Sequence, residues 1–218
     1  MSAPVVAIDG PGAAGKGTLA RRLAAALGVP HLDTGMLYRA VGRRVLDRGA
    51  DPRDPVVAER EARALLGSDL RRGDLRGPDA DMAASAVSAV PGVRAALLEF
   101  QREFGRNGAV LDGRDIGTVV FPDAPVKLFV TASVEARARR RFEELRTRSI
   151  AADPAQVEAE LRRRDMQDAE RDTAPMRAAP DALLLDTTDL DIEGAFAAAL
   201  AMVREKLGTA RSRNAGQG

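Results

Sequence analysis

The sequence predicts an α/β fold, a five-stranded parallel sheet flanked by helices. Three observations predict it. Five short apolar runs alternate with helical stretches, the pattern of a parallel sheet covered on both faces. The first run leads through a glycine-rich loop straight into a helix. Hydrophobic residues make up 45% of the 218 and charged residues 30%, which excludes wholesale disorder and leaves enough apolar side chain for one sizeable core. Aromatics are only 3%, so that core must be built from Ala, Val, Leu and Ile.

The elements follow in order. Val5-Val6-Ala7-Ile8 reads as a buried strand. Lys16 to Leu27 reads as a helix, stopped by Gly28 and Pro30. His31-Leu32 is a second short strand, followed by a helix from Thr34 to about Arg48. Residues 43–91 carry helical signals around a polar, Gly-rich middle, Gly67 to Gly77, and read as a mostly helical insertion, with Asp54-Pro55 as N-cap and first helical residue. Ala109-Val110-Leu111, Val126 to Val130 and Ala182 to Leu185 are the remaining strands. Residues 133–171 read as two charged helices, capped by Ser133 and by Asp153-Pro154. The expected layout is one domain over 1–207. Its core is 4–42, 92–132 and 172–207, its insertion 43–91 and its helical lid 133–171. The polar residues 208–218 are expected to be a disordered tail.

Composition narrows the chemistry. The absence of cysteine rules out disulfides, Cys-ligated zinc, iron–sulfur clusters and a thiol nucleophile. His31 is the single histidine, which argues against multi-His metal sites and a Ser–His triad, and it reads as a structural residue at a strand end. A net charge of +1 calls for neither nucleic acid nor an anionic membrane. No apolar run reaches the roughly 20 residues of a membrane span, and Met1 to Gly10 lacks the features of a signal peptide. A cytoplasmic monomer is expected.

The strongest chemical signal is Gly10-Pro11-Gly12-Ala13-Ala14-Gly15-Lys16-Gly17-Thr18, set between a strand and a helix as a phosphate-binding loop requires. Glycines let backbone N–H groups approach phosphate oxygens, and the helix N-terminus adds partial positive charge. Lys16 brings a full charge to the β/γ-phosphates, and Thr18 can serve the metal side. Only three of the 33 basic residues are lysines, Lys16, Lys127 and Lys206, so a lysine inside this motif is informative. None sits in the Asn-Lys-x-Asp motif with which most switch GTPases read guanine. The loop departs from the generic form, because Gly17 separates Lys16 from Thr18. Gly-Lys-Gly-Thr is the variant of nucleoside monophosphate kinases.

A kinase also needs an acceptor site, rich in arginine because Arg clamps phosphate bidentately. Thr34-Gly35-Met36-Leu37-Tyr38-Arg39 follows the second strand and Asp112-Gly113-Arg114-Asp115 the third. Ligands of open parallel sheets gather at the carboxyl ends of strands, so Arg39 and Arg114 are expected to converge with Lys16, and Asp112 to hold a water of a bound Mg²⁺. From Ser133 to Arg171 the chain carries ten arginines and nine acids, the balance of solvated, ion-paired helices rather than a nucleic-acid patch. Arg164, Asp168 and Arg171 fall on one helix face. A mobile pair of helices would also serve as a lid that keeps water from ATP.

At this point the chain resembles the bacterial cytidylate kinase family, from about residue 4 to 207. The resemblance is carried by Ile8-Asp9-Gly10-Pro11, by Gly-Lys-Gly-Thr at 15–18, and above all by Asp112 to Lys127, which begins Asp-Gly-Arg-Asp-Ile-Gly-Thr-Val-Val-Phe-Pro-Asp. It implies a P-loop nucleoside-monophosphate-kinase fold whose insertion binds the acceptor. It implies ATP with Mg²⁺ as donor and CMP or dCMP as acceptor. Arg39, Arg114 and Arg171 match arginines that hold the acceptor's phosphate, and Ser85, Arg94 and Asp115 match residues that read cytosine. Thr34, Arg164 and Asp168 match positions around the pentose and the lid. Where the family usually has Ser, this chain has Thr34. The chemistry agrees: Asp115 can accept from cytosine's exocyclic amine and Arg94 can donate to its acceptors, whereas uracil offers Asp115 a carbonyl. The insertion is reduced where the family implies a β-hairpin, at about 68–78. Two other readings stay open at the level of sequence: a P-loop kinase for UMP or shikimate, and a nucleotide-dependent regulator or RNA-binding protein.

Overall fold

The computed structural model describes residues 3–215, with the side chains of 210–215 left aside. The chain divides into two compact units, one running up to Leu32 and again from Gly105, the other spanning Asp33–Phe104.

The first unit is built on the sheet. Its strands are β1 (Val5–Asp9), β2 (His31–Asp33), β3 (Ala109–Gly113), β4 (Val126–Thr131) and β5 (Leu183–Asp186). They lie in the order β2-β3-β1-β4-β5. β1 is central and pairs in parallel with β3 and β4, with Ala7 opposite both Leu111 and Lys127. Val6, Ala7 and Ile8 are wholly buried, as a strand covered on both faces demands. Helix α1 (Lys16–Leu27) and helix α8 (Ile192–Ala215) pack together over this sheet. Leu23, Leu128, Val110, Leu185 and Val203 share one core cluster with Ile8. Gly28, at φ 67°, ends α1 by donating to the carbonyls of Ala24 and Ala25. Helices α6 (Val134–Thr147) and α7 (Pro154–Glu170) pair over a smaller cluster containing Leu145, Val157 and Leu161. Ser133 and Asp153 cap them as expected, accepting from the N–H groups of Ala136 and Gln156.

The second unit is helical. It holds α2 (Thr34–Asp47), α3 (Pro55–Arg63), a 3₁₀ turn at Asp69–Arg71, α4 (Pro78–Ser88) and most of α5 (Pro91–Gly105). Asp54 caps α3 through the N–H groups of Val56 and Val57. Leu37, Val41, Val45 and Leu97 are buried in its core, and α2 packs along α4.

Three expectations need correction, and one turn was not anticipated. The helical unit is wider than 43–91, because α2 and α5 bury their apolar faces within it. The stretch after Leu207 is not a disordered tail as far as Ala215, since α8 continues to that residue. It contains no proline, and its one interior glycine, Gly208, weakens a helix by about 1 kcal/mol without ending it. Residues 216–218 lie outside the described residues. Helix α7 stops at Glu170, and Arg171 takes an extended conformation at φ −63°, ψ 140°, so it does not share a helix face with Arg164 and Asp168. Finally, Ile116–Val120 forms a π-helical turn that the apolar run Val-Val-Phe gave no reason to expect.

Candidate active site

The phosphate loop starts where β1 ends. Gly10 sits at φ 143°, and a Cβ there would lie 1.9 Å from the Val130 carbonyl oxygen, so only glycine lets the chain pass β4 this closely. Ala13 at φ 59° and Gly15 at φ 85° complete the turn. Helix α1 then begins with no side-chain cap and no acidic residue in its first turn. Its amide groups and dipole present positive potential to the loop, the arrangement that binds phosphate. Lys16 is 6% exposed and its Nζ donates to the Pro11 carbonyl at 2.6 Å. Thr18 stands exposed on the first turn.

Asp112, near the end of β3, reaches the same loop: its Oδ2 lies 3.8 Å from where a Gly17 Cβ would stand. Its Oδ1 is bonded to His31 Nε2 at 2.7 Å. The single histidine therefore opens β2 with a carboxylate partner that its sequence context did not reveal.

Arg114 lies against the loop, its Nη2 3.7 Å from the position of a Gly12 Cβ. Its Nε donates to Asp168 Oδ2 at 2.8 Å, and Arg171 Nη1 lies 3.3 Å from Asp168 Oδ1. Asp168 thus bridges two guanidinium groups. Burial opposes ionisation of Asp168, but the charges of Arg114 and Arg171, and to a lesser degree of Arg164, hold its carboxyl below the usual range. Burial likewise works against the Arg114 charge, and Asp168 restores it above the ordinary value. Arg171 is fixed further by donating from Nε to the Ala174 carbonyl at 2.8 Å, and its Nη2 lies 4.0 Å from Asp115 Oδ1. Arg114, Asp115, Asp168 and Arg171 therefore form one connected set beside the phosphate loop.

The sequence singled out none of the α6 arginines, yet Arg137 is buried and spans three elements. It donates to Ala132 O at 3.0 Å, to the loop's Gly12 O at 3.2 Å and to Asp165 on α7 at 2.7 Å. Its position one turn inside the Ser133 cap is the only local hint, because the arginines around it have the same charge environment in sequence.

The remaining expected residues belong to the helical unit. Thr34 is buried at the start of α2. Arg39 Nε donates to Asp81 Oδ1 at 2.9 Å. Asp81 is itself buried and was missed, since an aspartate in the first turn of a helix reads as a dipole partner. Arg94 is buried on α5, donates to the Ser88 carbonyl at 3.4 Å and lies over the Tyr38 ring at 5.6 Å from its centroid. Tyr38 thereby supports an arginine rather than only packing the core. Ser85 lies on α4.

Comparison with known proteins bears on this arrangement. A family model described as cytidylate kinase matches residues 6–205. A cytidylate kinase of Granulibacter bethesdensis is 61% identical over 203 residues, covering 93% of this chain and 97% of its own. One of Acidiphilium cryptum is 59% identical, covering 95% of this chain and 99% of its own. Among solved structures, an uncharacterised protein of Eubacterium ventriosum aligns with a TM-score of 0.54 at 12% identity, covering 93% of this chain and 96% of its own, a likeness of fold alone. No single helix among the described residues is long and apolar enough to cross a membrane.

Proposed function

The chain belongs to the cytidylate kinase family, and from that premise we propose that it transfers the γ-phosphoryl group of ATP to CMP and dCMP, giving ADP with CDP or dCDP. The observation that carries the reading is the set built in the sheet unit: an uncapped phosphate loop with Lys16, flanked by Arg114 and Arg171 on either side of Asp168.

The residues take roles that follow from their chemistry. The amides of 10–18 and Lys16 bind and orient the donor phosphates. The nucleophile is a phosphate oxygen of the acceptor, ionised near neutral pH, so no general base is required. Two anionic substrates repel, and Arg39, Arg114 and Arg171 offset that repulsion while placing the acceptor in line. Asp115 accepts from the cytosine amine, and Arg94 and Ser85 complete the reading of the base. Thr34, Arg164 and Asp168 serve the pentose and the lid, α6 and α7.

Mg²⁺ fits the residues present. Thr18 and Asp112 offer hard oxygen donors beside the loop, and Mg²⁺ is commonly held by one or two protein groups together with substrate phosphates and water. When bound with ATP it neutralises charge on the β- and γ-phosphates. We place the enzyme in the cytoplasm, as a monomer.

The test is a coupled ADP-release assay with Mg²⁺–ATP and CMP, dCMP, UMP or AMP as separate acceptors. Turnover on CMP and dCMP well above the others is expected. Preference for UMP would keep the kinase and discard the Asp115 and Arg94 assignments, and no turnover on any acceptor would overturn the reading.

A further inference from the structure

Asp9 has no part in the activity set out above, yet its surroundings are specific. It is the last residue of β1 and is 4% exposed. Its Oδ1 accepts from the Ile116 N–H and its Oδ2 from the Gly117 N–H, both at 2.7 Å. Those are the first two amides of the π-helical turn that follows Asp115, and no side chain at the turn's own N-cap satisfies them. From within the turn, the Asp115 carbonyl accepts from Val119 at 2.9 Å and Val120 at 3.2 Å. The backbone on the C-terminal side of Asp115 is thus held from two directions, by its own turn and by Asp9. Gly117 makes the approach possible: a Cβ there would stand 3.3 Å from Asp9 Oδ2 and 3.1 Å from Lys127 Cδ. On its other side Asp9 is bonded directly to Gly10, the first residue of the phosphate loop.

We infer that Asp9 is a positioning residue: by gripping the Ile116 and Gly117 amides it sets where Asp115 presents its carboxylate to the acceptor base, and it ties that placement to the phosphate loop. The inference rests on the CMP-kinase reading, in which Asp115 accepts from the cytosine amine. The energetics support it. Burial pushes the Asp9 carboxyl up to about 6, with the Asp115 charge adding to the rise, against the pull of the two amides and of Lys16. An apolar residue at this site would avoid the desolvation of a charge but would leave the Ile116 and Gly117 amides without an acceptor, so the bidentate grip is what fixes the turn.

The experiment compares wild type, Asp9→Asn and Gly117→Ala in the coupled assay, with KM and kcat for CMP, UMP and ATP, and thermal unfolding as a check on folding. Asparagine keeps one acceptor and turns an amine toward the second N–H. Alanine at 117 presses on the same bond from the other side, and so decides the matter should Asp9→Asn fail to fold. The expected result is a rise of about tenfold in KM for CMP, an ATP KM within about twofold of wild type, and a fall in the CMP-to-UMP ratio of kcat/KM. UMP has no amine for Asp115 to read. A purely structural role would move ATP and CMP together and leave the ratio unchanged, and that result would overturn the inference alone. A wild type inactive on CMP would overturn both the inference and the reading beneath it.

Discussion

The charge on Asp9 leaves a signature in the pH dependence of folding. Its pKa is about 6 in the folded chain against an ordinary 3.8. A carboxyl raised on folding holds its proton more tightly in the native state. Its contribution to stability is fully present below about 3.8 and is lost as pH rises through about 6. The gap corresponds to about 3 kcal/mol. Asp115 and Lys16, the charged groups facing Asp9, are present in wild type and in Asp9→Asn alike, so comparing the two isolates Asp9. Urea unfolding from pH 4 to pH 7 should show wild type losing up to about 3 kcal/mol relative to the variant as pH rises, and a constant difference would rule this charge out as the cause. Lys16 and Arg114 make a different kind of prediction, because the proposed function gives them their worth in the reaction. Lys16→Ala and Arg114→Ala should each lower kcat by at least about a hundredfold with far-UV circular dichroism unchanged. Turnover within a few-fold of wild type in either would remove that residue from the chemistry.

Elements were legible where periodicity and punctuation agree. The five apolar runs emerged as the five strands, and α1 matches its expected bounds, because Gly28 supplies the left-handed residue that a helix end calls for. The caps at Asp54, Ser133 and Asp153 were readable for the same local reason. What escaped was structure decided by tertiary contact. The turn at Ile116–Val120 exists because Asp9, 107 and 108 residues away, supplies acceptors for its first two amides. The end of α8 was misjudged because a polar sequence without proline can continue a helix already nucleated by its buried half. That half gives a prediction. The apolar residues of α8 packed into the core cluster run from Phe196 to Leu207, so truncation after Leu207 should move Tm by less than about 2 °C. Leu128→Ala, in the heart of the same cluster, should cost about 2–5 kcal/mol by calorimetry or denaturant titration. A large effect of the truncation would show that the end of α8 bears on the fold after all.

For the molecule as a whole, the sequence revealed chemistry that is contiguous and hid chemistry that is paired across distance. The loop at 10–18 and the run Asp112–Asp115 could be read because each carries its meaning within a few residues. Asp168 and Arg171 were named, but the bridge from Asp168 to Arg114 spans 54 positions. The His31–Asp112 bond spans 81, and the tie from Arg137 to Gly12 spans 125. Strand order brings such pairs together, and no local pattern encodes it. The same division into donor and acceptor machinery predicts how ligands stabilise the fold. A ligand that binds only the native state at a hundred times its Kd adds about 2.7 kcal/mol, or roughly 5–10 °C in Tm for a chain of this size. Mg²⁺–ATP and CMP should therefore each raise Tm when added alone. Lys16→Ala should abolish most of the shift from ATP and keep the shift from CMP, because Lys16 lies within the phosphate loop that is assigned to the donor. Arg94→Ala should do the reverse, because its guanidinium is held over Tyr38 in the unit assigned to the acceptor. Differential scanning fluorimetry on the two variants reads both effects directly. Loss of both shifts in either variant would mean that the assignment of donor to one set of residues and acceptor to the other is wrong.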